Sequence, residues 1–313
     1  MKVRILNRAV TQWPLLAVTE ESGAWREVGL EPEIDFVPKT HEADERLLKA
    51  NTDFIFGSHI SPYHHRARGV PIVYLAQTVN YTLDSVVSSL DLKGLKELEG
   101  RRVASVSEFS PKRTSHPRGN IILYLEREGV DINQVSFYQP QNGDFAEAVL
   151  RGEADAAFVT PPREVVYRKK GLKVLMLPKL PMVIAITVTA LRPQVEKNPQ
   201  VALKILQALI LGIHWFKTQR EKTLEILEDQ VVPRLKFSPD PEVTLRLYEA
   251  TANQLEALPY PRVEAIQNAF RLAQMIYPEV GNMNPLSLWD LHYLRMLDDE
   301  GFIRNLYGDT SSF

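Results

Sequence analysis

The chain has 313 residues, 44% of them hydrophobic and 24% charged, in line with a soluble globular protein. Its 37 Lys and Arg against 39 Asp and Glu leave a net charge of −2, so no strong basic field marks it for nucleic acid or an anionic membrane. Cysteine is absent, which excludes disulfides, Cys-ligated zinc, iron–sulfur clusters and a thiol nucleophile.

At roughly 100–200 residues per domain, the length predicts two domains. The start, Met1-Lys2-Val3-Arg4-Ile5-Leu6-Asn7-Arg8, reads as a strand and lacks the apolar core of about 7–15 residues that a secretory leader carries. As written, the chain is expected in the cytoplasm; a leader removed beforehand would make it periplasmic or extracellular. The apolar runs 182–191 and 208–216 fall short of the ~18 residues needed to span a bilayer, so no membrane insertion is expected.

Taken in order, the pattern predicts a strand at 2–6, a helix at 14–27, a strand at 33–37, a helix at 42–50, a strand at 53–57, a helix at 61–68 and a strand at 71–76. The same series then returns: strand 102–106, helix 117–128, strand 134–138, helix 144–151, strand 155–159, helix 162–169 and strand 172–177. The residues repeat as well as the pattern. Leu47-Leu48-Lys49-Ala50-Asn51-Thr52-Asp53 answers to Val149-Leu150-Arg151-Gly152-Glu153-Ala154-Asp155, an offset of 155 − 53 = 102. Gly69 falls on Gly171 at the same offset, and Val3-Arg4-Ile5-Leu6 is paired with Val103-Ala104-Ser105-Val106 at an offset of 100. Strands alternating with helices predict an α/β fold of two lobes, each a set of parallel-type βαβ units. Beyond Arg192 the periodicity is helical, at 199–217, 219–229, 241–256, 262–276 and 286–298, so the last third is helical; the role of 231–313 is left open.

Ligands of open α/β sheets bind at the carboxyl ends of the strands, and a cleft between two such lobes is the expected site. The candidate binding residues in the first lobe are Arg8, Thr11, Trp13, Ser58, His59 and Tyr63. In the second they are Ser107, Ser115, His116, Arg118 and Thr160. Ser115 is placed to cap a helix starting near Pro117, whose free N–H groups favour a carboxylate, sulfonate or phosphate. Arg8 and Arg118 add positive charge, and Trp13 and Tyr63 offer flat faces to a ring. His59, His64 and His116 are candidate acid–base groups with Glu108 or Glu164 as partner. No cofactor is expected, although His59 and His64 could contribute to a divalent-metal site; the spacing matches no strong metal signature. Gly-x-Ser-x-Gly and P-loop motifs are absent.

Segment 23–35, the strand Asp53-Phe54-Ile55-Phe56-Gly57, the turn and strand Arg68-Gly69-Val70-Pro71-Ile72-Val73, and Leu98-Glu99-Gly100-Arg101-Arg102-Val103-Ala104 resemble the NMT1/THI5-like family. The resemblance covers about residues 1–230. It implies a type II periplasmic-binding-protein fold with lobe one at 1–85 and 188–313, lobe two at 90–185, and hinge segments near 81–90 and 180–190. It also implies a small-molecule solute-binding protein, for an anionic or heteroaromatic ligand, that closes around it and serves an ABC permease. Enzymes occur on this scaffold too. Pyrimidine synthases with a cysteine-rich motif and cysteine-dependent desulfinases do not fit a chain without cysteine. A cytoplasmic lyase resembling dihydroxyphthalate decarboxylase remains as the alternative, with the histidines at work.

Overall fold

The computed structural model describes residues 1–106, 116–141 and 143–308, at 116 and 117 the backbone only. Its strands are β1 (Lys2–Asn7), β2 (Glu31–Phe36), β3 (Phe54–Phe56), β4 (Ile72–Thr82), β5 (Ser85–Ser88), β6 (Arg102–Ala104), β7 (Ser136–Tyr138), β8 (Ala156–Val159), β9 (Lys173–Met176) and β10 (Leu180–Leu191). By internal contacts the chain divides into unit 1, residues 1–81, 181–239 and 251–313, and unit 2, residues 82–180 and 240–250.

In unit 1 the sheet runs β2-β1-β3-β10-β4. β1 alternates out and in at its start and is buried at its end, which suits a strand flanked on both sides. It pairs parallel with β2 and β3, whereas β10 runs antiparallel to β3. In unit 2 the order is β7-β6-β8-β5-β9, with β6 parallel to β7 and β8, and β5 antiparallel to β8. Both sheets are therefore mixed, not wholly parallel. The antiparallel strands β5 and β10 fall where the sequence placed hinge segments. Residues 82–85 and 240–250, given to the first lobe, group with unit 2, and 181–185, given to the second, group with unit 1.

The repeat survives at atomic detail. Asp53 accepts the backbone N–H of Arg4 (2.8 Å) and its Nη2 (2.8 Å); Asp155 accepts the backbone N–H of Arg102 (2.7 Å). Arg4 Nη2 also reaches the carbonyl of Ala50, as Arg102 Nη2 reaches that of Gly152. Ile5 and Val103 hold the same ladder position, opposite Phe54 and Ala156. The first strands thus correspond at an offset of 103 − 5 = 98, two residues from the pairing the sequence alone favoured.

Apart from residues 240–250, the C-terminal third completes unit 1. Edge strand β4 is buried nearly throughout. Its backbone is covered by later segments: Gln77 N–H donates to Pro259, Glu256 N–H to Thr78, and Asp290 N–H to Tyr74. This disposes of an edge that would otherwise invite pairing. The helix Pro199–Thr218 is 20 residues long, with a hydropathy of 1.3 over its apolar stretch, enough by length and composition to cross a membrane. It is longer and more apolar than run 208–216 implied, and half of that stretch is buried inside the protein. It packs on the helix Trp13–Glu21, where a Cβ on Gly212 would meet Thr19 Oγ1 at 2.2 Å. Only glycine permits that approach.

In unit 2, segment 240–250 joins the helix Arg163–Lys169 through charge. Arg246 Nε meets Glu164 Oε1 at 2.5 Å, Lys169 meets Asp240 at 2.5 Å and Glu242 at 3.0 Å, and Arg168 pairs with Glu242. Glu164, 4% exposed, is thereby committed to Arg246 and is not a free acid–base partner.

Candidate binding site at the strand ends of unit 1

Arg8 follows the last residue of β1, and its backbone N–H donates to Phe56 at the end of β3 (3.1 Å). Its guanidinium then spans three strand ends. Nη1 donates to Ser58 Oγ (3.2 Å), and Nη2 to Thr40 Oγ1 (2.8 Å) and the Pro38 carbonyl (3.2 Å). All three acceptors are neutral, and Nε is buried with no partner among the described residues. Desolvation lowers the pKa of Arg8, opposed only by the more distant charge of Asp44. A half-buried cation without a paired carboxylate is a strong attractor for an anion, because the ligand supplies the missing counter-charge.

The surroundings are polar and tightly held. Asn7 is fully buried and its Nδ2 has no partner among the described residues. Gln12 donates to the carbonyl of Ala185 (3.0 Å) while its Oε1 is left without a partner there. His59 Nε2 lies 3.1 Å from the same carbonyl. Ala185 has a left-handed backbone (φ 57), held by neighbours: Gln77 Nε2 donates to Ile184 (2.7 Å) and Thr78 Oγ1 to Ile186 (3.0 Å). A strained non-glycine residue persists only where its surroundings over-determine it. Gly57 beside it has φ 93, which L side chains rarely adopt, and a Cβ there would crowd Gln12 Nε2 at 1.8 Å and the Ala185 carbonyl at 3.2 Å.

Of the residues expected in the first lobe, Arg8 and Ser58 are in direct contact, and His59 holds the Ala185 carbonyl nearby. Thr11 is exposed in the turn Val10–Gln12, and Trp13 opens the next helix. Tyr63 is not a ring platform. It is fully buried, edge-on to Tyr74 and Phe270 at centroid distances of 6.0 and 5.4 Å, and burial raises its pKa. His64 bonds Glu279 and stacks on Tyr277, and His65 bonds Asp44 (3.1 Å). Among the described residues no group of three or more His, Asp or Glu is placed to hold a metal.

In unit 2, Ser107, Glu108 and Ser115 lie outside the described residues, and His116 begins the helix His116–Arg127. Arg118 sits over the ring of Phe137, 2.9 Å from its centroid, and burial lowers its pKa to about 10. Thr160 is exposed just beyond β8. Sequence reasoning missed Thr40 and Ala185. Thr40 was detectable as a hydroxyl at a helix start after β2; nothing local marks Ala185.

The family model described as NMT1/THI5 like matches residues 12–222, and the chain belongs to that family. Its solved structural relatives include a putative sulfonate ABC transporter's periplasmic sulfonate-binding protein from Methylobacillus flagellatus (TM-score 0.71, 16% identity, 97% of this chain and 95% of that one). A second is the periplasmic aliphatic sulphonate-binding protein of Escherichia coli (0.67, 18%, 92% and 95%). A third is a Candida albicans gene product described as having the generic periplasmic-binding-protein fold (0.64, 13%, 93% and 96%). At these identities the likeness establishes the periplasmic-binding-protein fold. No curated protein matches the sequence.

Proposed function

We propose that the protein is a solute-binding protein for a small organic anion, recognised at the strand ends of unit 1 and delivered to an ABC importer. One observation carries the ligand's charge: Arg8 is half-buried, bonded only to neutral oxygens, and lowered in pKa by desolvation. The receptor role draws on family membership, on the ABC transporter named for the Methylobacillus relative and on the periplasmic binding role named for the Escherichia one. A permease partner and a place outside the cytoplasmic membrane belong to the same reading. The lyase alternative gains nothing from the histidines, because His59 holds a backbone carbonyl and His64 a surface carboxylate.

Calorimetric titration of the intact chain with sulfonates and carboxylates tests the reading. Arg8→Gln should weaken binding by about 10- to 150-fold while the circular dichroism spectrum is kept, since a charge-assisted contact is worth roughly 1.5–3 kcal/mol. Equal affinity in that variant would remove Arg8 from the site.

A further inference from the structure

The strand end that carries Arg8 also carries apolar groups that face water. Phe36, the last residue of β2, is 46% exposed, and Val10 is 38% exposed. The half-exposed indole of Trp13 lies beside Phe36, with ring centroids 6.3 Å apart and planes at 42°. Pro38, two residues beyond Phe36, accepts a hydrogen bond from Arg8. The aromatic pair and the buried cation therefore border one turn. Above the indole sits a second guanidinium: Arg234 is exposed, 4.3 Å from the ring centroid, and makes no ion pair among the described residues. Single exposed apolar residues are ordinary. Two adjoining aromatic rings beside cations without carboxylate partners make a surface suited to a flat, negatively charged molecule.

We propose that the ligand is a small aromatic anion, its acid group held by Arg8 and its ring laid on Trp13 and Phe36. This rests on the reading of Arg8 as the anion anchor. Arg234 is a positioning residue: it fixes the indole plane from one side and adds positive charge to the rim. An aliphatic anion of equal charge satisfies Arg8 but leaves the aromatic rim wet, so the rim separates ligands by their bodies and Arg8 by their charge.

The experiment titrates matched pairs into the intact chain: benzenesulfonate against ethanesulfonate, and benzoate against propionate. The aromatic member of at least one pair should bind about tenfold tighter. Trp13→Ala and Phe36→Ala should erase that preference, weakening the aromatic member about tenfold more than the aliphatic one. Arg234→Gln should remove part of it and Arg234→Lys should restore that part, with melting temperatures confirming the fold of each variant. Equal or tighter binding of the aliphatic members, or a Trp13→Ala that weakens both alike, overturns the aromatic assignment. If aliphatic anions bind and Arg8→Gln releases them, the anchor stands without the rim. If no anion of either kind binds the unmodified chain, both readings fall.

Discussion

Counted on from the matched ladders, unit 1 carries Arg8, Gly57 and Ile186 where unit 2 carries Val106, Val159 and Asp84. Around them the frame is held in common: the sheet order, the Asp–Arg clamp at the foot of the first and third strands, and the left-handed Gly69 and Gly171 that follow the helices Ser61–Ala67 and Arg163–Lys169. Even the tie between successive helices recurs in altered chemistry, as His65 to Asp44 in one unit and Tyr167 to Asp144 in the other. Backbone geometry demands the frame residues, so duplication keeps them. The strand-end residues face whatever each unit binds or packs against, and there the copies part. The edges differ too: β4 is covered by C-terminal segments, whereas its counterpart β9 is short and half-exposed.

The largest expected departure from equivalence is Asp84. Its carboxyl is 6% exposed, and burial pushes its pKa from 3.8 to about 7, against the opposing hydrogen bonds of Thr82 and Tyr124. Below about pH 4 it is protonated folded or unfolded; between there and about pH 7 only the unfolded chain ionises readily. Stability should therefore fall as pH rises through that window and level off above it. Asp84→Asn should flatten this dependence and raise stability at pH 8 by at most about 4 kcal/mol, read from urea denaturation across pH. An unchanged pH profile would contradict the assignment.

A sharper test of equivalence is the clamp. Asp53→Ala and Asp155→Ala should each cost about 1–2 kcal/mol, because each leaves a strand-start N–H without its charged acceptor. The two losses should agree within about 0.5 kcal/mol; a gap several times larger would mean the shared geometry carries unequal weight.

The smallest effect concerns the turn before the third strand. Ala50 has φ 55, and its counterpart Gly152 has φ 72. Ala50→Gly should be neutral to stabilising, by up to about 1 kcal/mol, while Gly152→Ala should cost about 1 kcal/mol. Thermal denaturation of the two variants would show opposite shifts.

The sequence by itself determined the βα alternation, the duplication, the helical last third and the NMT1/THI5-like family, because these are carried by local periodicity and by matched residues such as Asp53 and Asp155. It also singled out Arg8 and Ser58 as strand-end residues. Tertiary structure alone decided the rest. β10 enters the first sheet between β3 and β4 from about a hundred residues or more downstream, and no local signal specifies that pairing. Tyr63 went to the core because its ring faces Tyr74 and Phe270, not the strand ends. Arg8 is a candidate anchor only because long-range folding buries it among neutral oxygens, and Arg234 meets Trp13 only because a distant helix brings it there. Periodicity reports which face of an element is buried; it does not report what is buried against it.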